Sequence, residues 1–315
     1  MKTILPRLSI VTPSFNQGQF IEQTICSVLD QGYPDLEYFV MDGGSTDGTV
    51  EILKKYEKHL SGWVSEKDRG QTHAINKGFA RASGDVLAYI NSDDWYLPGA
   101  LHAAGEHFMA HPGAGLLHGR CVRIKGDVRH DTQFASIQTP VEILDLWNVW
   151  WKDRQFVQPE VFWSRKVAEQ IGPFNESLHM VMDYEYWLRA ILAGARVDGL
   201  DREVCCFRMH PGQKSGMTGK AADELRMVVQ PYLWDGSVPL PPVARRRLQA
   251  LWLYDGPFRM LADQSLSRGE GRLLRWAGLA RFVIGHPRVL DAPPMRGRLL
   301  GWMGVAGPRE CCQHT

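Results

Sequence analysis

The sequence predicts an α/β fold in which a mostly parallel, doubly wound sheet is flanked by helices and followed by a helical C-terminal extension. Three observations carry that prediction. From Leu8 to Ile90, short β-rich runs alternate with stretches of helical spacing, the pattern of a parallel sheet with crossover helices. The run Val86 to Ile90 is almost wholly apolar, as a strand covered on both faces should be. Beyond Gly216 the chain turns helical and is interrupted by Pro231, Pro239, Pro241, Pro242 and Pro257.

Each element follows from local chemistry. Leu8 to Thr12 is a β-rich run closed by Pro13, Asn16 and Gly18, a strand entering a loop. Phe20 to Leu29 carries apolar residues at 20, 21, 25, 28 and 29, a helical spacing that Gly32 and Pro34 stop. Glu37 to Met41 is a second strand, Asp42 to Thr49 a glycine-rich turn, and Val50 to Leu60 a helix. Gly62 to Ser65 is a third strand, followed by the loop Glu66 to Gly70 and a helix from Gln71 to Arg81. Val86 to Ile90 is the fourth. In the second half, strands are expected over Leu116 to Ile124, Val128 to Phe134 and Val161 to Trp163, and helices over Ile143 to Trp151 and Met182 to Leu192. Cys205 and Cys206 are expected to pack in a strand. The loops after Thr12, Met41, Ser65 and Ile90 all fall at the carboxyl edge of the sheet, where such folds bind ligands.

At 315 residues the chain can bury a full core, and 44% hydrophobic with 23% charged residues is ordinary for a globular protein. A net charge of +1 argues against a general nucleic-acid binder. The arginines are nevertheless uneven, recurring at 245, 246, 247, 259, 268, 272, 275, 281, 288, 296, 298 and 309. Such a segment could rest on an anionic membrane surface, or could be ordinary surface arginines on short helices. Arg272 and Arg275 share a helix face that Arg281 does not, so no clean amphipathic membrane helix emerges. The six cysteines contain no C-x-x-C pair, which suits buried thiols in a reducing cytosol. The N-terminus lacks a signal-peptide pattern, and no run reaches the ~20 apolar residues of a membrane span. A cytoplasmic protein is expected.

The strongest local feature is Tyr89-Ile90-Asn91-Ser92-Asp93-Asp94. Two carboxylates and an amide directly after a strand are hard oxygen ligands suited to Mg²⁺ or Mn²⁺ bridging phosphates. The alternative is a helix cap, with Ser92 or Asp93 opening a helix from Leu97. Asp42 to Thr49 is a second acidic, glycine-rich loop, whose Asp42 could accept from a base N–H or a ribose hydroxyl. Equally, Thr46 or Asp47 could cap the next helix. Trp147, Trp150 and Trp151 read either as core or as a sugar-stacking platform.

Taken in order, Thr12-Pro13-Ser14-Phe15-Asn16, the Asp42 loop, Asp68-Arg69-Gly70-Gln71 with Asn76-Lys77-Gly78, and Asn91 to Asp94 resemble the family 2 glycosyltransferases of the Rossmann-like GT-A fold. Two further blocks are similar to that family: Gln158 to Trp163 through Gly172-Pro173-Phe174-Asn175-Glu176 to Met182-Asp183-Tyr184-Glu185, and Phe207 to Gly212. The likeness extends to about residue 215. It implies a GT-A catalytic domain over 1–215, with a nucleotide-sugar half over 1–100, an acceptor half over 101–215 and an Arg-rich helical extension over 216–315.

The resemblance also implies roles. Asp42 contacts base or ribose, flanked by Thr12, Pro13 and Ser14; Asp68, Arg69, Asn76, Lys77 and Ser92 lie along the donor. Asp93 is the principal metal ligand, with Asn91 standing where the family more often has aspartate, and with Asp94 and His210 as further ligands. Asp183 matches the catalytic base, although Met182 replaces the usual companion acid. Inversion needs an acceptor hydroxyl deprotonated opposite the leaving group, which a carboxylate does well. Asp183 could instead be a helix N-terminal carboxylate favoured by the dipole, and His210 a surface residue in a Pro-Gly turn.

The function implied is an inverting, metal-dependent transfer from a UDP-, GDP- or dTDP-sugar to a glycan or lipid-linked hydroxyl acceptor. A sugar-phosphate nucleotidyltransferase would want basic residues between Thr12 and Gly18, and there are none. A non-catalytic scaffold relative is the third reading, prompted by Asn91 and Met182.

Overall fold

The computed structural model describes residues 5–131, 134–214, 218–267 and 272–295. The chain forms two compact units, Met1–Ile143 with Lys152–Leu225, and Leu144–Trp151 with the chain from Arg226 onward.

The first unit is built on a nine-stranded mixed sheet. Its first half comprises β1 (Leu8–Ser14), α1 (Ile21–Leu29), β2 (Leu36–Asp42), α2 (Thr49–Tyr56), β3 (Gly62–Ser65), α3 (Gln71–Phe79) and β4 (Val86–Tyr89). Then come β5 (Trp95–Tyr96), α4 (Ala100–Ala110), β6 (Leu116–Lys125), β7 (Val128–Asp131), α5 (Pro140–Leu144), β8 (Val161–Ser164), α6 (Arg165–Ile171), α7 (Met182–Leu192) and β9 (Val197–Met209). The strand order is β3-β2-β1-β4-β8-β6-β9-β5, with β7 paired to β6. The β3-β2-β1-β4 portion is parallel, so the winding reverses between β1 and β4, and loops leaving both strands open a crevice there. Beyond β4 the pairing is mixed: β8 is antiparallel to β4 and β6, while β6 and β9 are parallel.

Burial explains the strand readings. All residues of β1 and β4 are buried. Helix α3 sits close against β1 because residue 78 is glycine: a Cβ there would lie 2.4 Å from Val11 Cγ1. A long side chain could not be accommodated without moving the helix outward. Trp163, Phe174 and Tyr186 form an aromatic cluster beneath β4, with Phe174 and Tyr186 stacked at 3.9 Å.

The expected helix over Ile143 to Trp151 is not formed. Helix α5 stops at Leu144, and a 3₁₀ turn occupies Trp150–Lys152. Tertiary packing overrides the spacing: Trp147 packs in the second unit's core, and Trp151 Nε1 donates to Asp255. The strand expected from Val128 to Phe134 is seen over Val128–Asp131, and residues 132 and 133 lie outside the described residues.

Helix α8 (Thr218–Trp234) is followed by α9 (Pro242–Leu253), a π-helical turn at Tyr254–Phe258, α10 (Arg259–Ser267) and α11 (Arg272–Gly285). Leu251, Tyr254, Phe258, Val289 and Met295 form the core of the second unit. Several of its arginines bind internally. Arg226 and Arg259 pair with Asp255, Arg245 donates to the Leu233 and Val238 carbonyls, and Arg288 donates to Gln249. Arg296, Arg298, Arg309, Cys311 and Cys312 lie outside the described residues.

Candidate active site

A cleft of about 850 Å³ opens along the carboxyl edge of the first unit's sheet. Its size suits a nucleotide-sized ligand. Pro13, Ser14 and Phe15 line it from the end of β1, Gly43 and Gly44 from the loop after β2, and Asp68 from the loop after β3. Asn91, Ser92 and Asp93 line it from the loop after β4. The second half of the chain adds Gln158, Met182, Asp183, Phe207 and Lys214. All four predicted loops therefore meet at one place.

The expected residues divide into those at the cleft and those behind it. Pro13, Ser14, Asp68, Asn91, Ser92, Asp93 and Asp183 are in its lining. Ser14 Oγ is buried and has no hydrogen-bond partner among the described residues, which leaves a hydroxyl available to a ligand. Thr12 stands below, its hydroxyl 3.0 Å from Tyr38 Oη. Asp42 is buried too. Its carboxylate accepts from Gly44 N, Ser45 N, Ser45 Oγ and Ser65 Oγ, so it shapes the turn that brings Gly43 and Gly44 to the cleft. Arg69 pairs with Glu176, and Lys77 with Glu66. Asn76 bonds both backbone groups of Phe174. Those three side chains tie surface segments together and stand outside the lining.

The Asn91–Asp94 loop is not a helix cap. The next helix, α4, starts at Ala100 after a left-handed Gly99 and has no side-chain cap. Asp93 and Asp94 point in different directions. Asp93 Oδ2 lies 3.0 Å from His210 Nε2, whose ring packs on Phe20 at 4.8 Å. Asp94 is turned into the interior, where Oδ1 accepts from Arg208 N and Oδ2 has no hydrogen-bond partner among the described residues. Burial, and then the charge of Asp93, push the Asp94 carboxyl well above its usual range. Asn91 donates to Gln158 Oε1 and accepts from Gln71 Nε2. Among the described residues no group of three His, Cys, Asp or Glu side chains is placed to hold a metal. Asp93 lines the cleft, and His210 stands behind it in contact with its carboxylate.

Asp183 opens helix α7, and its Oδ1 accepts from Tyr184 N at 2.7 Å. Burial raises its carboxyl above the ordinary value, opposed by backbone N–H groups and by the charge of Lys214. Burial correspondingly lowers the Lys214 ammonium, opposed by Asp183 and Glu224. Glu224, from α8, accepts from the backbone N–H groups of His179, Met180 and Val181, immediately before Asp183's helix. Arg208 reaches from β9 to the Asp93 carbonyl, its guanidinium between the rings of Phe20 and Trp95.

Sequence reasoning missed Gln71, Gln158, Lys214, Arg208 and Glu224. Gln71, Gln158 and Arg208 lie inside motifs already singled out, so position in the motif was the available signal. Lys214 and Glu224 carry none that spacing could reveal.

The glycosyl transferase family 2 model matches residues 9–172. A GalNAc(5)-diNAcBac-PP-undecaprenol beta-1,3-glucosyltransferase of Campylobacter jejuni is 30% identical over 144 residues, covering 44% of this chain and 46% of that protein. The glycosyltransferase AglE of Haloferax volcanii is 32% identical over 271 residues, 77% of this chain and 84% of that protein. A solved mannosyltransferase of Pyrobaculum calidifontis, in complex with GDP-Man and Mn²⁺, superposes with a TM-score of 0.61 at 20% identity, over 96% of this chain and 84% of that one. At that identity the likeness shows a shared fold. Several other relatives are matched over 36–42% of their own length.

Proposed function

The chain belongs to glycosyl transferase family 2, and we propose that it moves a sugar from a nucleotide-diphosphate donor to a hydroxyl acceptor with inversion at the anomeric carbon. The observation that carries this reading is that Asp183 shares one cleft with Asp93 and the loops of β1 to β4. In the proposed single displacement, Asp183 accepts the acceptor's hydroxyl proton as its oxygen bonds to the anomeric carbon and the nucleoside diphosphate leaves. A buried carboxylate is a stronger base than an exposed one, which suits a proton taken near neutral pH.

The donor set fits a divalent cation carried by a diphosphate. Mg²⁺ and Mn²⁺ are commonly held by one or two protein side chains, with phosphate oxygens and water filling the other positions. Asp93 and His210 are such a pair, while Asp94 faces inward and Asn91 is engaged by two glutamines. When bound, the cation would offset the charge of the departing diphosphate. Ser14 and the backbone of Gly43 and Gly44, which line the cleft, would hold the nucleotide.

The acceptor we propose is a lipid-linked or cell-surface glycan precursor, in keeping with the undecaprenol-linked substrate named for the Campylobacter relative. Among the described residues no helix is long and apolar enough to cross a membrane. The contact proposed is peripheral, at the inner face, through the Arg-rich C-terminal segment, and pelleting with anionic liposomes tests it. A thermal-shift screen of UDP-, GDP- and dTDP-sugars with Mn²⁺ identifies the donor, and NMR of the product gives the anomeric outcome. Retention at that carbon, or full turnover by Asp183→Asn, would overturn the mechanism.

A further inference from the structure

Four side chains cross the cleft in one hydrogen-bonded chain. Lys214 Nζ donates to Gln71 Oε1 at 2.9 Å, and Gln71 Nε2 donates to Asn91 Oδ1 at 2.7 Å. Asn91 Nδ2 donates to Gln158 Oε1 at 3.0 Å, and Gln158 Nε2 donates to the Tyr89 carbonyl at 2.7 Å. The links come from the loop after β9, the start of α3, the loop after β4 and the turn before β8. All four side chains line the cleft.

The direction of the chain is fixed at both ends. A backbone carbonyl only accepts, and an ammonium only donates. From Tyr89, Gln158 must turn its NH₂ to the carbonyl and its oxygen toward residue 91. Residue 91 must then donate to Gln158 and accept from Gln71, and Gln71 must accept from Lys214. A carboxamide satisfies both neighbours. An ionised aspartate at this position would set oxygen against oxygen at Gln158. It would also add a third carboxylate beside Asp93 and Asp94.

We propose that Asn91 is a positioning residue rather than a cation ligand: through it, the carbonyl of Tyr89 orients the amides of Gln158 and Gln71 and holds Lys214 at the wall of the cleft. Lys214 there is within electrostatic reach of Asp183. The chain itself is a matter of geometry, and only its value for turnover rests on the glycosyl-transfer reading.

The test uses the full-length protein, and its first readout is taken without added metal or donor. In the wild type, the side-chain amide protons of Asn91 and Gln158, followed by ¹⁵N-resolved NMR, should exchange at least about tenfold more slowly than those of exposed amides. In Asn91→Asp, the Gln158 amide signals should shift and lose protection, while those of Gln71, which still faces an acceptor, should keep theirs. Loss of one buried hydrogen bond should lower kcat about tenfold, with the donor KM within about twofold of wild type. The affinity for Mn²⁺ alone, by EPR titration, should stay within about twofold as well. Gln158→Leu should reproduce the kcat loss. Unprotected amides in the wild type overturn the proposal. So does an Asn91→Asp protein that binds Mn²⁺ at least about tenfold tighter with undiminished kcat. Protected amides in a protein that transfers no sugar would leave the chain standing and remove the functional reading instead.

Discussion

Asp93 Oδ2 and His210 Nε2 stand 3.0 Å apart although they are 117 positions apart in sequence. The pair joins the end of β4 to the loop after β9, so that each half of the first unit supplies one donor. Asp93→Ala and His210→Ala should each weaken Mn²⁺ binding in the presence of pyrophosphate by about tenfold or more. The double variant should lose less than the sum, because the two side chains are proposed to act on one ion. Calorimetric titration checks this, and additive losses would separate the two residues.

As the proposed base, Asp183 should set the acid side of the pH profile. Its carboxyl is raised by burial, so the protonated, inactive form persists to higher pH than for an exposed aspartate. Activity should climb as pH rises through that raised value. Lys214 pulls the other way, so Lys214→Met should move the acid limb of kcat/KM further upward. Asp183→Asn should cut kcat by about 10²- to 10⁴-fold while nucleotide binding stays near wild type. A downward limb shift in Lys214→Met would contradict the assignment.

Glu224 fastens the segment ahead of Asp183 through three backbone N–H groups. Hydrogen bonds to a charged group contribute about 1.5–3 kcal/mol. Glu224→Gln should therefore lower kcat about tenfold and leave donor affinity unchanged. The amides of Met180 and Val181 should exchange faster in that variant. Unaltered exchange with unaltered kcat would show that the contact does not position Asp183.

Glu160 makes stability depend on pH. It is 1% exposed, and burial pushes its carboxyl up to about 8. Between about 4.5 and 8 the unfolded chain has lost this proton while the folded chain keeps it. The unfolded state then binds fewer protons, so this group's contribution is fully present below the unfolded value and is lost as pH rises through the folded one. The loss amounts to a few kcal/mol, at about 1.4 kcal/mol per pH unit. Glu160→Gln should flatten that slope in urea unfolding between pH 5 and 8, whatever its absolute stability. An unchanged slope would place the titration elsewhere.

The parallel half was legible because its strands are short, apolar and followed by glycine- and aspartate-rich loops. Val86–Tyr89 could hardly be read otherwise. Strand β9 was harder. Its 13 residues include Asp198, Asp201, Arg202 and Glu203, and its pairing with β6 shifts register around Arg120. Only Cys205 and Cys206 betrayed it. Within the site, the sequence located Asp93 and Asp183 but could not orient them. That Asp94 faces inward depends on Arg208 N, and that Asp42 is spent on its own turn depends on Ser65, both brought close by tertiary structure. Glu224 lies in a helix whose spacing says nothing about a distant backbone segment.

Arg208 ties the Asp93 carbonyl and the Asp94 carboxylate to β9 from more than a hundred positions downstream. That distance bears on biogenesis. A ribosome that has released the first four strands has released the residues of the Asn91–Asp94 loop without the partner that fixes their conformation. Contacts of such long sequence separation form late, after the loop-closure entropy between them has been met. The Asn91–Asp94 loop should therefore take its final arrangement only when β9 docks, so that a nascent chain can form the loops after β1, β2 and β3 before the proposed cation site is assembled.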